Sequence, residues 1–209
     1  MTENNYIYAP AEHPADAFRC KVPMKGTRQV FVIDGGVQGT SAPLSIRYDK
    51  GCVGEEILQV IGVRTASGPK ELSFESTFHF EQNSQGRLIL CSHTFAEEAF
   101  LTKESLKITL EDNANVDIVL MQNEHNDAEH ICDFEINMGR DASLKMVFLT
   151  LHGGKINNNI KVNLNGENGS CDLSGLYVVD GKQQVRNIIS MNHRVPNCYS
   201  SQLFKGILD

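Results

Sequence analysis

A chain of 209 residues, 41% hydrophobic and 22% charged, is long enough for one domain with a full core, burying roughly 70% of its unfolded surface. Its formal charge of −7 excludes a general nucleic-acid or anionic-membrane surface, because either needs clustered Lys and Arg to replace counterions. No apolar run approaches the roughly 18 to 20 residues of a membrane span, and Met1-Thr2-Glu3-Asn4-Asn5 has neither a basic nor an apolar signal region. These features point to a cytoplasmic protein with no nucleic-acid and no membrane partner.

In chain order, residues 1–27 read as a lead segment, partly irregular, with Pro10 and Pro14 in its first part. Arg28 to Asp34 reads as a strand ended by Gly35-Gly36, Leu44 to Tyr48 as a second strand, and Glu56 to Val63 as a longer apolar one. The turn Asp34-Gly35-Gly36-Val37-Gln38-Gly39 is rich in glycine but lacks the Gly-x-x-x-x-Gly-Lys pattern that cradles phosphate. Glu97 to Phe100 can form part of a short helix.

From residue 83 onward a repeat organises the chain. Asn83-Ser84, Asn113-Ala114, Asp141-Ala142, Asn168-Gly169 and Asn197-Cys198 each place Asn or Asp before a small residue and an apolar strand, a period of about 28 residues. A second set of strands lies at the half-period: Leu106 to Leu110, Ile131 to Ile136, Ile160 to Leu164 and Val185 to Met191. Two strands and two tight corners per repeat is what a right-handed parallel β-helix requires, and the fold class expected over residues 28–209 is therefore all-β of that kind. Alternation agrees: Leu106, Ile108 and Leu110 face inward with Lys107 and Thr109 outward, and Ile160, Val162 and Leu164 face inward with Lys161 and Asn163 outward. The competing architecture is an antiparallel sandwich. It favours two-residue Asn-Gly or Asp-Gly hairpins, of which Asp180-Gly181 alone has strands expected on both sides, with Asp34-Gly35 in the less regular N-terminal part.

The terminal stretch carries His193, Pro196-Asn197-Cys198, Ser201 and Lys205-Gly206-Ile207-Leu208. Upstream lie Leu151-His152-Gly153-Gly154, Asn158, Val162-Asn163-Leu164-Asn165-Gly166-Glu167, Leu173-Ser174-Gly175-Leu176-Tyr177 and Gln183, with Phe18-Arg19-Cys20-Lys21-Val22-Pro23 near the start. Together these resemble the SufB/SufD family of the SUF iron-sulfur cluster assembly machinery, and Lys-Gly-Ile-Leu leans to its SufD branch. The chain departs from the family pattern at Asn157, Arg186 and Ile188, where the resemblance implies Arg, Asp and His.

The resemblance implies a non-enzymatic scaffold that pairs with a SufB-like subunit in a complex driven by a SufC-like ATPase. An iron-sulfur cluster would then belong to the assembled complex, and no cofactor is expected on this chain alone. The family's SufC-docking region and its Cys-Ser-His-Gly stretch would follow Asp209, and many members begin with a helical domain, so the chain reads as a SufD-like core truncated at its C-terminal end. The last strand is then an uncovered edge, expected either to self-associate or to be poorly ordered after Pro196.

The motif positions His193, Asn197, Cys198, Ser201, Lys205 and Asn158 are the candidate interface residues, though Asn113, Asp141, Asn168 and Asn197 also suit a structural ladder at one corner, as does Asn157-Asn158-Asn159. Six cysteines, at 20, 52, 91, 132, 171 and 198, form no Cys-x-x-Cys pair and are expected as free, mostly buried thiols. Cys91 with His93, and His130 with Cys132, share a strand face and can chelate iron or zinc, but such residues on β-helix strands are more often core or corner residues. No catalytic residue and no metal site is assigned. There is no Gly-x-Ser-x-Gly elbow. The alternative function is a carbohydrate-active β-helix protein of the polysaccharide lyase or hydrolase type, which needs a groove with paired carboxylates, or a Ca²⁺ cluster with Arg or Lys as base; Asp117, Asp133, Glu135 and Asp172 fall on strands, where outward acidic residues are usually a solvated face.

Overall fold

The computed structural model describes Met24 and residues 26–95 and 98–209. The lead segment before Met24, including the Phe18 to Pro23 stretch and Cys20, lies outside the described residues, as does Glu97. The chain winds as a β-solenoid of about six turns, each of roughly 29 residues, with 68% of the described residues in strands and no helix among them. Phe100, expected near a short helix, instead opens a strand. Accordingly, no helix among the described residues is long and apolar enough to cross a membrane.

Two sheets face one another across the coil interior. The first runs in the spatial order β14 (Tyr199–Leu208), β12 (Ser170–Val179), β10 (Ser143–His152), β8 (Asn115–Asn123), β6 (Gln85–Thr94), β4 (Ile57–Arg64), β1 (Thr27–Ile33) and β2 (Gly36–Val37). The second runs β13 (Gln184–His193), β11 (Lys155–Leu164), β9 (Ala128–Met138), β7 (Phe100–Leu110), β5 (Glu71–Phe80) and β3 (Leu44–Tyr48). Every pairing is parallel except β1 with β2. That pair turns at Asp34-Gly35, whose φ angles of 44° and 83° suit the two-residue hairpin turn that Asp-Gly favours. The hairpin signal thus belongs to Asp34-Gly35, and Asp180-Gly181 lies in the turn from β12 to β13, which are in different sheets.

In-register stacking builds the core. Ile108 pairs with Phe78 before it and Ile136 after it, and Val162 and Met191 extend the column. On the facing sheet Leu58, Leu88, Ile118, Met146 and Leu173 stack in the same way. Phe80, Ile108, Ile136 and Val162 are all 0% exposed, so these columns form a dry interior. At the last coil Gly175 makes room for a ring: a Cβ there would lie 2.2 Å from Phe204, which packs on Phe148 with centroids 5.8 Å apart.

The corners explain the repeat. Asn83, Asn113, Asp141, Asn168 and Asn197 all have φ between 55° and 62°, the left-handed region that Asn and Asp tolerate better than other non-glycine residues. The residue after each is small because it turns into the core: Ser84, Ala114 and Ala142 are at most 1% exposed. Side chains ladder between coils, with Asn113 Nδ2 donating to Asn83 Oδ1 at 2.8 Å and Asn168 Nδ2 to Asp141 Oδ1 at 2.9 Å.

Lys161 is outward as expected, but Asn163 is 2% exposed rather than solvated. It sits in an outer amide ladder, donating to Asn137 Oδ1 and accepting from Asn192 Nδ2 and from Arg194, which lie over it. β5 carries no sequence-level expectation; the Asn and Asp corners precede strands of the first sheet, and at the corner before β4 their left-handed position is taken by Gly51, with φ 71°.

Asn113→Ala should lower the free energy of unfolding in urea by about 1 to 2 kcal/mol, since it combines left-handed strain with loss of a ladder bond, and Asn113→Gly should cost less. An alanine variant as stable as the glycine variant would show that the corner does not require this conformation.

Candidate functional site

One end of the coil cross-section is polar where the rest of the interior is apolar. On the second sheet the inward positions run Thr102 and Glu104 on β7, His130 and Cys132 on β9, Asn158 on β11 and Asn187 on β13. Register stacks Thr102 on His130, and Glu104 on Cys132 on Asn158 on Asn187. Gln122 and Thr150 face them from the ends of β8 and β10, and Glu124 follows β8 directly.

Every member of the distal half is satisfied. Gln122 and Asn158 exchange amide hydrogen bonds at 2.9 and 3.1 Å, Thr150 Oγ1 donates to Gln122 Oε1 at 2.8 Å, and Asn158 Nδ2 donates to Asn187 Oδ1 at 2.8 Å. Asn158 is 0% exposed and lies mid-strand, so it and its neighbours Asn157 and Asn159 do not form a corner ladder.

The proximal half is ionic. His130 Nδ1 lies 3.1 Å from Glu124 Oε1 and its Nε2 lies 3.7 Å from Glu104 Oε2. Ser76 Oγ donates to Glu104 Oε1 at 2.9 Å, and Thr94 Oγ1 donates to Glu124 Oε2. An internal cavity of about 60 Å³ adjoins the group, lined by Ser92, Thr102, Glu104, Glu124 and His130 among others. Charged groups this deep are costly unless paired, so the cluster is a deliberate local exception to an apolar core.

Burial disfavours the His130 imidazolium, but the nearby Glu104 carboxylate and the hydrogen-bonded Glu124 carboxylate outweigh it and raise its pKa to about 9. Burial pushes Glu124 upward, and the hydrogen bond and charge of His130, with Thr94 and then His93, bring it below the usual carboxylate value. Burial, reinforced by Glu104 and Asp133, holds the Cys132 thiol well above its ordinary range.

The structure does not bring the six motif residues together. Asn158 is interior. His193 ends β13 and shares a 2.9 Å hydrogen bond with Ser200, Ser201 Oγ donates to Asp172 of the preceding coil, and Cys198 Sγ points to the Gly166 carbonyl at 3.4 Å. Asn197 makes the fifth corner, and exposed Lys205 pairs in register with Leu176. The departures Asn157, Arg186 and Ile188 lie on the outer face of the second sheet, with Arg186 beside Asn157. Of the chelation candidates, Cys91 and His93 lie on the face of β6 opposite Leu88 and Leu90, whereas His130 and Cys132 point into the coil.

Cys91, Cys132 and Cys171 are buried free thiols, Cys198 is half-buried and Cys52 is exposed. Sequence reasoning missed Glu104, Glu124 and Gln122. The available signal was polar residues at inward-facing strand positions, aligned between coils.

Because His130 holds its proton more tightly folded than unfolded, its stabilising contribution is full below about pH 6.5 and is lost as pH rises toward about 9. Glu124 has the opposite sign, its contribution being lost as pH falls below the usual carboxylate range. Metal-free protein should therefore lose roughly 2 to 3 kcal/mol of urea-measured stability between pH 6.5 and 9.5, and Glu124→Gln should flatten that slope. A wild-type slope no steeper than the variant's would mean that the pair is not formed.

Residues 64–209 match the SufBD core domain of the SUF system for FeS cluster assembly. An iron-sulfur cluster assembly SufBD family protein of Mycobacterium leprae is 28% identical over 105 residues, covering 50% of this chain and 27% of the relative. A SufBD family protein of Mycobacterium tuberculosis is likewise 28% identical over 105 residues, covering 50% of this chain and 26% of that protein. The iron-sulfur cluster assembly protein SufD of Plasmodium falciparum is 30% identical over 103 residues, which is 49% of this chain and 7% of that protein. The matched part thus spans about a quarter of the mycobacterial relatives' length. With its parallel β-solenoid and a match covering well over half its length, the chain belongs to the SufBD core family of iron-sulfur cluster assembly proteins.

Proposed function

We propose that the chain serves iron-sulfur cluster assembly as a non-catalytic, cytoplasmic scaffold, pairing with a SufB-like subunit in a complex driven by a SufC-like ATPase. The cluster is cargo of the assembled complex in this reading. The observation that carries it is the family match over residues 64–209, and the sheet edges at the end of the solenoid give it a physical route. β14 and β13 end their sheets in the spatial order, so among the described residues no strand lies beyond them. Tyr199, Leu203, Ile207 and Leu208 of β14 are 57% to 72% exposed. A parallel edge with apolar side chains accepts a further strand, whether from the same chain, a partner or a second copy. β14 itself pairs in full register with β12 from Tyr199 to Leu208.

The carbohydrate-active reading finds no support in the geometry. Asp117 and Asp172 lie on the first sheet with Lys145 in register between them, and Asp133 and Glu135 lie on the second. Asp133 accepts from Asn159 and Asp172 from Ser201.

Co-expressed with SufB-like and SufC-like subunits from the same genome, the chain should co-purify with the SufB-like subunit, and Leu203→Asp with Ile207→Asp should reduce retention at least tenfold, a loss of about 1.4 kcal/mol or more. Without partners, self-association sensitive to the same substitutions would be consistent with the edge as the contact surface. Absence of any retention, or cleavage of oligosaccharides by the purified chain, would contradict the proposal.

A further inference from the structure

We propose that Glu104, His130 and Cys132 form a binding site for a borderline divalent transition-metal ion, zinc or ferrous iron, inside the solenoid. The site goes beyond the scaffold reading and does not rest on it. One ligand atom from each of the three residues lies within 4.8 Å of the others. A tetrahedral ion with bonds of about 2.0 to 2.3 Å needs them roughly 3.3 to 3.7 Å apart, and the His130 Nε2 to Glu104 Oε2 distance is already 3.7 Å. Side-chain rotation closes the remainder. A carboxylate, an imidazole and a thiolate together favour zinc or iron over magnesium or calcium.

Two independent observations point to a ligand. His130 is 3% exposed, yet its Nε2 has no hydrogen-bond partner among the described residues and is aimed at Glu104. Its other ring nitrogen is held by the Glu124 carboxylate at 3.1 Å, the carboxylate-histidine arrangement that orients an imidazole and raises its basicity toward a metal. Thr102, stacked on His130, likewise has a buried hydroxyl without a partner. The adjoining cavity of about 60 Å³ has room for a water or substrate atom as fourth ligand. Binding displaces protons from His130 and Cys132, so affinity rises with pH.

The test is titration of the reduced, metal-free 209-residue protein with Co²⁺, followed by displacement with Zn²⁺ or Fe²⁺ and with Mg²⁺ as control. The expected result is one Co²⁺ per chain with near-ultraviolet thiolate-to-cobalt absorption, displaced by Zn²⁺ or Fe²⁺ and not by Mg²⁺. The stronger competitor identifies the preferred ion. Cys132→Ser should abolish the absorption, Glu104→Gln and Glu124→Gln should weaken binding about 10- to 100-fold, and Cys52→Ser/Cys198→Ser should bind as the parent does. No thiolate absorption, or absorption that persists in folded Cys132→Ser, overturns the site. If Cys132→Ser does not fold, Glu104→Gln decides, and unchanged affinity there overturns it equally.

Discussion

Parallel stacking in register is the constraint on which the rest of this molecule depends. Each strand residue rests on its counterpart one coil earlier and supports its counterpart one coil later, so side-chain choice is made column by column. The Ile108 column shows the apolar case, with Phe78, Ile136 and Val162 above and below at nearly zero exposure. The Asn83 to Asn197 corner shows the conformational case, because a left-handed residue at one coil obliges a left-handed residue at the next. A single polar residue in such a column would face an apolar neighbour on each side, so polarity inside must come in stacks.

The interior cluster obeys that rule. Glu104, Cys132, Asn158 and Asn187 occupy one column, and Thr102 with His130 the column beside it. Asn158 is satisfied by Gln122 across the interior and Asn187 along the stack, which makes its burial tolerable. The ionic half is less complete: two carboxylates hold one imidazole, while Thr102 Oγ1 and His130 Nε2 keep unmatched hydrogen-bonding capacity. Unmatched buried hydrogen-bonding capacity is where binding chemistry concentrates.

Much of the fold was legible because the corners repeat a chemical requirement. Asn or Asp before a small residue marks left-handed backbone followed by an inward-turning side chain, and five such pairs set the period. The earlier coils were harder, because Gly51 replaces the Asn or Asp of the later corners and the Asp34-Gly35 hairpin turns the chain by other means. Asn163 misled because alternation assigns a face but not its covering; Arg194 and the flanking amides bury an outward position. The site was half legible. His130 and Cys132 share a face within one strand, but Glu104 reaches them only through the coil register, and Glu124 from beyond the end of β8. The terminal motif identified the family while its residues turned out to be spread among a corner, an edge strand and the interior.

The family match over residues 64–209 includes the titratable cluster, whereas the terminal motif lies on the last coils. The terminal motif falls on β13, β14 and the corner between them, and the titratable cluster lies in earlier coils, on β7, β9 and just after β8. Coil register brings Glu104, and the turn after β8 brings Glu124, to either side of the His130 ring. Nitrogen-15 NMR of the His130 ring in metal-free protein tests this most directly: both ring nitrogens should remain protonated through pH 8, titrating near 9. A ring that titrates near 6.5, as an unpaired histidine does, would contradict it.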